Sequence, residues 1–130
     1  MDERIQVWLL DIKRAIEEVE SFFENYPMDY TVFEKDFLRR SAVERKAEIM
    51  GEAINRIFKV DPEFPIAEGK EVIKTRNRII HAYDSVQPDF LWGLVIRHIP
   101  ALKKDIEDLI QEELAKGNLD PDINKIDYPH

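Results

Sequence analysis

The sequence predicts an all-α protein, an antiparallel up-and-down bundle of four to five helices. Apolar residues recur at helical spacing through most of the chain, and short proline-bearing turns separate these stretches. No stretch alternates apolar and polar residues as strands do. The 130 residues suffice for one domain with a real core and not for two ordinary ones. We predict one bundle over residues 1–117 and a tail, flexible or docked on a partner, over 118–130.

The first helix is predicted over residues 3 to about 25. Its apolar positions are spaced so that they form one stripe, which packs against other helices. They are Ile5, Leu9, Ile12, Ile16, Val19 and Phe23. Pro27 ends this helix, because the residue before a proline is disfavoured in the helical region.

A second helical stretch is predicted from Thr31 to about residue 58. Thr31 and Glu34 form a capping-box pattern that opens it, and Ser41 with Glu44 offers a second start. The stretch is therefore either one helix or two helices with a break near Arg40. Its predicted buried stripe is Val43, Ala47, Met50, Ile54 and Ile57.

Gly51 lies inside that stripe, where glycine costs about 1 kcal/mol of helix propensity relative to alanine. We infer that another element packs closely against it. Glu48 and Glu52, one helical turn apart, are conceivable metal ligands. The helical Glu-x-x-His pattern of carboxylate-bridged metal bundles is absent from the sequence. A solvated helix face is therefore the favoured interpretation of these two acids, and we predict no metal.

A proline-rich turn at residues 61–65 precedes the next predicted helix, which runs from about Ile66 to Tyr83. Its apolar face is Val72, Ile73, Ile79 and Ile80. After Pro88, Asp89 is predicted to cap a last helix that Pro100 kinks near its middle and that stops at Lys116-Gly117. The apolar residues of this last helix are Leu91, Leu94, Val95, Leu102, Ile106, Leu109 and Leu114.

Charge and composition limit the functional classes. The net charge of −8 argues against broad, non-specific binding to nucleic acid or to anionic membranes. The first residues lack the basic start of a secretory signal, and the longest apolar run, residues 90–96, is far below the roughly 20 residues of a membrane span. The absence of cysteine excludes thiolate chemistry and fits a reducing compartment. We therefore expect a cytoplasmic protein that makes no membrane contact.

Residues 76–83, Arg-Asn-Arg-Ile-Ile-His-Ala-Tyr, hold most of the candidate chemistry. On a helix, Asn77 and His81 share a face, whereas Arg76 and His81 lie about 140° apart around the axis and are poorly placed to touch directly. One copy of the motif is therefore half a site at best. The guanidinium, carboxamide, imidazole and Tyr83 phenol supply an anion clamp, a positioning group, a proton carrier and a hydroxyl. Such a set suits phosphate chemistry.

The pattern Arg76-Asn77-x-x-x-His81-x-Tyr83 resembles the signature of the HepT-like branch of HEPN domains. These are small all-helical toxins paired with a minimal nucleotidyltransferase antitoxin. Residues 43–53, which end in Gly-Glu-Ala, resemble the family's preceding helix, and Trp92 with the Pro-x-Leu at residues 100–102 resembles its last helix. The resemblance covers roughly residues 3–114. The tryptophan that members often carry before the motif helix is replaced by Pro-Ile-Ala, which bears on how that helix is braced.

The resemblance implies a metal-independent endoribonuclease without a cofactor that acts as a homodimer, with two motifs facing each other across a two-fold axis. Two Arg76 and two His81 would then surround one phosphate. His81 would transfer protons during 2′-hydroxyl attack, Arg76 would stabilise the phosphoryl charge, and Asn77 would orient the imidazole or bind the phosphate. Tyr83 would be the residue to which the antitoxin attaches AMP, which repels and excludes RNA.

Simpler interpretations remain open for the basic residues. Lys70, Lys74 and Arg78 form a local basic patch with Arg76, and they either contact the RNA backbone or only keep the helix soluble. Arg76 itself is either a functional residue or one partner of a surface ion pair with Glu71 or another acid.

Two other functions also remain open. One is a non-catalytic HEPN-type subunit that binds RNA or a nucleotide for its nucleotidyltransferase, and the other is a structural helical partner protein. His98, alone on an otherwise apolar helix, is interpreted as a histidine with a hydrogen-bond partner in the core or an interface.

Overall fold

A computed structural model of the protein describes residues 2–81 and 87–117. The helices are α1 (Glu3–Phe22), α2 (Tyr30–Glu34), α3 (Phe37–Val60), α4 (Gly69–Ile80), α5 (Pro88–Gly93), a π-helical turn (Leu94–His98) and α6 (Ile99–Ala115). Because α5, the π-turn and α6 follow one another without interruption, the described chain consists of five helical segments. It contains no strand within the described residues. The all-α prediction is confirmed.

Side-chain contacts show that α1 and α3 run in opposite directions. The ammonium of Lys46 lies 2.5 Å from a Glu18 carboxylate oxygen. Nearer the start of α3, the Arg39 Nε–H donates to the Phe22 carbonyl at 2.7 Å. Moving back along α3 therefore means moving forward along α1, as in an up-and-down bundle.

The contacts of α4 with the last helical segment show the same antiparallel relation. At the end of α4, the Arg78 guanidinium lies over the Phe90 ring, 4.2 Å from its centroid. At the start of α4, the Glu68 backbone N–H donates to the Asp105 carboxylate at 3.1 Å. The helix that carries the motif is thus fixed to its neighbour near both ends.

One apolar core runs through the bundle, and the predicted stripes supply most of it. The predicted stripe of α3 is buried throughout, as are Val72 and Ile79 of α4. Ile80 was predicted to be buried with them, and that prediction is wrong, because its side chain is 49% exposed. Phe37 and Leu38, in the first turn of α3, are 73% and 78% exposed. The molecule therefore leaves some large apolar side chains in contact with solvent.

The predicted boundaries of the first two helices need correction. α1 ends at Phe22, about three residues early, and the turn that follows uses Asn25 in the left-handed region, φ 56°. Asparagine tolerates this region better than most residues. The N-cap of α2 is Asp29, whose carboxylate accepts from the Thr31 N–H at 2.9 Å, so Thr31 is not the cap.

The second helical stretch is divided, but not near Arg40. The break lies at Lys35 and Asp36, and α3 begins at Phe37 with Asp36 as its N-cap. The Asp36 carboxylate accepts from the Arg39 backbone N–H at 3.1 Å, which satisfies one of the free amide groups at the helix start. Ser41 therefore lies inside α3, and the second capping box is wrong.

The helix that carries the motif begins at Gly69, three residues later than predicted, and its C-cap is His81. Residues 82–86, which include the predicted end at Tyr83, lie outside the described residues, as does the predicted tail from residue 118 onward.

The last segment starts with Gln87 at the N-cap, so the prediction of an Asp89 cap is wrong. The Asp89 carboxylate instead accepts from the adjacent Phe90 N–H at 2.9 Å. The π-turn ends directly before α6, in whose first turn Pro100 lies. A proline clashes with the carbonyl four residues earlier and donates no hydrogen bond, so a wider turn there relieves both problems. The stop at Gly117, φ 74°, is confirmed.

Candidate active site

Helix α4 approaches α3 most closely where Gly51 faces Arg76. A Cβ atom on Gly51 would overlap the Arg76 Cβ and would lie 2.8 Å from the Arg76 Cγ and 3.3 Å from the Val72 carbonyl oxygen. No other residue type fits here without displacement of α4 or of the arginine stem. This close contact confirms the prediction that another element packs against Gly51.

The guanidinium of Arg76 is held by two neighbours. Its Nη2 donates to a Glu52 carboxylate oxygen at 2.6 Å, and its Nη1 donates to the Asn77 side-chain oxygen at 3.0 Å. Only 25% of the Arg76 side chain is exposed. Arginine carries five N–H donors, so these two contacts leave three without a partner among the described residues.

The alternative interpretation of Arg76 as one partner of an ion pair with Glu71 or another acid is right about the pair, but the guanidinium is three-quarters buried and not on the surface. The pair exists, but its acid is Glu52 of the neighbouring helix. Glu71 instead accepts from Lys74 at 3.2 Å on the surface of α4. A pair that fixes the guanidinium at a helix interface is compatible with a functional role, because three of its donors have no partner in the part of the chain that the structure describes.

His81 differs from Arg76 in its surroundings. It is exposed at the C-cap of α4, where its backbone N–H donates to the Asn77 carbonyl at 3.0 Å. Its imidazole makes no hydrogen bond or ion pair with any described residue. No described residue therefore competes with a ligand or with another protein surface for this ring.

Asn77 and His81 lie on the side of α4 that faces away from its buried residues, Val72, Thr75 and Ile79. Both are exposed. The structure therefore brings Arg76 and Asn77 into contact, whereas no described contact joins Arg76 to His81. Tyr83 lies outside the described residues.

The three cations predicted to contact RNA have different surroundings. Lys70 and Lys74 are exposed, and the only ion pair of Lys74 within the described residues is with Glu71, whose side chain is 48% exposed. Arg78 is stacked on the Phe90 ring. The lysines therefore remain on the open face of α4 beside Asn77 and His81, whereas Arg78 helps to attach α4 to α5.

His98 has the hydrogen-bond partner that its isolated position predicted. Its Nδ1 lies 3.0 Å from a carboxylate oxygen of Glu68, the N-cap residue of α4. Ile66, which occupies the stretch where a tryptophan is common in the family, is buried in the core. The start of α4 is thus braced by Ile66 and by contacts of Glu68 with the last helical segment.

Glu44 lies on the part of α3 that runs beside the end of α4. Glu44 precedes Gly51 by seven residues, which is about 10 Å along α3. Because α3 and α4 are antiparallel, this step has the same direction as the step of about 8 Å along α4 from Arg76 to His81. Burial raises the pKa of the Glu44 carboxyl, the Arg40 guanidinium lowers it, and the Glu48 carboxylate raises it further. This acid therefore ionises less readily than a solvated glutamate.

Sequence reasoning missed the role of Glu52. It was considered with Glu48 as a metal ligand or a solvated acid, but it binds Arg76 and also accepts from the Arg56 Nε at 3.0 Å. Glu48 pairs with Arg45 at 3.3 Å. The useful signal was the position of Glu52 next to Gly51, because a residue beside a close helix contact can reach the opposing helix. Among the described residues, no three or more His, Asp or Glu side chains are arranged to hold a metal ion.

None of the described helices combines the length and the apolar character that crossing a bilayer requires. The fold is an all-α bundle with an arginine, an asparagine and a histidine at one end of a helix, which is a class of site suited to binding a phosphodiester. The family model "Ribonuclease HepT-like" matches residues 12–109. The chain belongs to the HepT-like ribonuclease family.

Named relatives agree with this assignment. The chain is 34% identical over 106 residues to the "Putative RNase MJ1380" of Methanocaldococcus jannaschii, which covers 79% of this chain and 94% of the relative. It is 37% identical over 106 residues to the "Probable ribonuclease HepT" of Thermococcus cleftensis, which covers 78% of this chain and 92% of the relative. No solved structure gives a significant match.

Proposed function

We propose that this protein is the toxin component of a HEPN and nucleotidyltransferase toxin-antitoxin system, and that it is a metal-independent endoribonuclease. The observation that supports the proposal most strongly is the Arg76 guanidinium, which α3 and α4 fix and which keeps three donors without a partner among the described residues. The exposed imidazole of His81 follows five residues later, about one and a half helical turns along α4. Family membership and the ribonuclease names of the relatives support the substrate class.

The proposed reaction is attack of an RNA 2′-hydroxyl on the adjacent phosphorus. His81 takes the proton from the 2′-oxygen or gives one to the departing 5′-oxygen, and such general acid-base help is worth about 10²- to 10⁴-fold in rate. Arg76 binds the equatorial phosphoryl oxygens, whose charge grows in the transition state. Asn77, whose side-chain oxygen accepts from the Arg76 guanidinium, binds the phosphate or orients the imidazole. DNA lacks the nucleophile and is not cut.

We further propose that the active form is a homodimer, because one chain does not bring Arg76 and His81 into contact. The antiparallel pairing of α3 and α4 places the first turn of α3 toward the end of the bundle where His81 lies. That turn exposes Phe37 and Leu38, and Ile80 next to His81 is 49% exposed. Exposed apolar residues at the same end of the bundle as an incomplete site favour a second copy as their cover.

Control by the partner is also part of the proposal. The nucleotidyltransferase would catalyse attack of the Tyr83 hydroxyl on the α-phosphate of ATP, with pyrophosphate as the leaving group. The resulting phosphodiester adds negative charge and bulk two residues from His81, and RNA is repelled. Tyr83→Phe is expected to remain toxic and unmodified in the presence of the partner and ATP.

The decisive experiment expresses the wild type, His81→Ala and Arg76→Ala in a bacterial host and compares growth and RNA integrity. Purified proteins are then tested on one sequence as RNA and as DNA, with and without EDTA. We expect the wild type to cleave only RNA, in EDTA as well, and both variants to lose at least about 100-fold in rate. RNA binding without cleavage would instead favour the non-catalytic subunit. Variants altered only in stability would favour the structural partner protein.

A further inference from the structure

The side chains of α3 and α4 form a line of hydrogen bonds that leads to the candidate site. Arg56 Nε donates to Glu52 Oε1 at 3.0 Å, Arg76 Nη2 donates to Glu52 Oε2 at 2.6 Å, and Arg76 Nη1 donates to Asn77 at 3.0 Å. We infer that Glu52 is a positioning residue that sets the direction of the Arg76 guanidinium, and that Arg56 positions Glu52. The expected effect of Glu52 on catalysis rests on the proposed function. Its expected effect on the orientation of the guanidinium does not.

Two separate contacts restrict Arg76. The stem is fixed where Cβ and Cγ pack on Gly51, which leaves no space for a side chain on α3 at that point. The head is fixed by Glu52, which follows Gly51 in the sequence and is 39% exposed at its side chain. A free arginine populates many rotamers. Contacts at both ends of the side chain select one of them before a ligand arrives, which is the usual requirement for electrostatic stabilisation of a transition state.

The contribution of Arg56 follows from charge. Glu52 and Arg76 alone would form a neutral pair, which attracts a phosphate weakly. Arg56 occupies the other oxygen of the same carboxylate, so the three side chains together carry one positive charge. Arg56 is 55% exposed at its side chain, and solvent weakens its influence. We therefore expect Glu52 to affect mainly kcat, through direction, and Arg56 to affect mainly KM, through attraction of the substrate.

The test measures kcat and KM on an RNA oligonucleotide. Glu52→Ala is expected to lower kcat by about 10- to 100-fold, because misplacing a catalytic group by 1 Å has effects of this order. Glu52→Gln keeps an acceptor at the same position and is expected to recover part of the loss. Arg56→Ala is expected to raise KM by up to about fivefold. Glu48→Ala is the matched control, since Glu48 lies one turn earlier on α3 and pairs only with Arg45 within the described residues.

Additivity separates positioning from a general structural effect. If Glu52 acts through Arg76, the double variant Glu52→Ala, Arg76→Ala should be no slower than Arg76→Ala alone. Further slowing of the double variant, or a Glu52→Ala enzyme within twofold of the wild-type kcat, would overturn the inference. If Glu52→Ala fails to fold, Glu52→Gln takes its place in the same cycle.

A second measurement does not require activity. The Arg76 Nη–H signals in ¹⁵N NMR should be resolved in the wild type and in Glu48→Ala, because hydrogen bonds slow rotation of the guanidinium, and they should be broadened or lost in Glu52→Ala. If the wild type cuts no RNA but this difference is seen, the proposed function fails and the positioning role stands. If the signals do not change in Glu52→Ala, the positioning role fails.

Discussion

Arg76 and His81 lie five residues apart on one helix, yet their burial and their contacts differ. Arg76 is three-quarters buried, its stem packs on Gly51, and its head is bound by Glu52 and Asn77. His81 stands exposed at the helix end and makes no side-chain hydrogen bond within the described part of the chain. Within the described residues, one chain therefore fixes the guanidinium, which we propose binds the phosphate, and gives no side-chain partner to the imidazole, which we propose transfers protons.

This difference indicates which interactions would come from within one chain of the proposed dimer and which would come from its partner. The packing of α3 on α4 within each chain fixes the guanidinium, and this packing is part of the core. We propose that the second copy or the substrate orients the imidazole. We therefore expect changes near Gly51 to alter folding and activity together, and changes on the exposed surface near His81 to alter assembly and activity without changing the fold.

The largest effect is expected from Gly51→Val. The branched side chain would overlap the Arg76 stem and crowd the Val72 carbonyl, so α4 must move away from α3. Overpacking of this kind costs about 1–3 kcal/mol of unfolding free energy. Arg76 would also lose its orientation, so cleavage should fall at least about 100-fold. Urea unfolding and RNA cleavage measure the two effects.

Gly93→Ala is the control for this prediction. A Cβ on Gly93 would lie 3.1 Å from the end of the Arg97 side chain, which is flexible and can move aside. We expect a cleavage rate close to that of the wild type and an unfolding free energy that is equal or up to about 1 kcal/mol higher, because alanine favours the helix more than glycine does. A Gly51→Val protein with normal stability and activity would show that the close contact does not fix Arg76.

The sequence predicted much of this bundle because the core depends on periodicity. The stripes of α1 and α3 and the Gly117 stop follow from local spacing. The start of α3 was misplaced because Ser41 and Asp36 are both good N-cap residues, and local sequence cannot rank them. The Asp36 carboxylate also accepts from the Tyr26 hydroxyl at 2.9 Å, a partner ten residues away. Contacts across the chain thus decided between two starts that are equivalent locally.

The candidate site shows the same limit. The spacing of Arg76, Asn77 and His81 was sufficient to predict that one helix does not bring Arg76 and His81 into contact. The close approach at Gly51 was also predicted, because a glycine inside a buried stripe needs a reason. The partner of Arg76 was not predicted, since Glu52 is 24 residues away and the pairing depends on the register between α3 and α4. The orientation of Arg78 on Phe90 depends on packing in the same way.

A smaller effect is expected at the proposed subunit contact. Changing Phe37 and Leu38 together to serine should weaken the dimer and lower cleavage at low protein concentration. The unfolding free energy of the monomer should change by less than about 0.5 kcal/mol, because both side chains are exposed. Analytical ultracentrifugation over a concentration series measures the association.

Val7→Ser is the matched control, since Val7 is 50% exposed near the start of α1, at the other end of the bundle. It should leave association unchanged. If the double serine variant dimerises as tightly as the wild type, Phe37 and Leu38 do not lie in the subunit contact. The proposal that a second copy covers this end of the bundle then loses its support.

A weaker effect distinguishes the basic residues of α4. Lys70→Ala and Lys74→Ala should each reduce RNA affinity and lower the slope of log affinity against log salt by about one, as loss of a phosphate contact does. Arg78→Ala should leave this slope nearly unchanged and instead cost about 0.5–1 kcal/mol of stability, because its guanidinium is stacked on Phe90. Binding of RNA to the His81→Ala protein over a salt series, with thermal unfolding, separates these outcomes. An equal slope change in all three variants would place Arg78 on the RNA.

The smallest effect concerns Glu44, whose pKa is raised mainly by burial. A carboxyl with a raised pKa in the folded protein binds its proton more tightly there than in the unfolded chain. Its ionisation therefore destabilises the fold, and this cost is present above the folded pKa and disappears as the pH falls below the unfolded value near 4. Glu44→Gln should stabilise the protein at pH 7 by less than about 1 kcal/mol and give no advantage at pH 3. A stabilisation that is equal at both pH values would instead assign the gain to packing. The ionised Glu44 carboxylate would then not destabilise the fold.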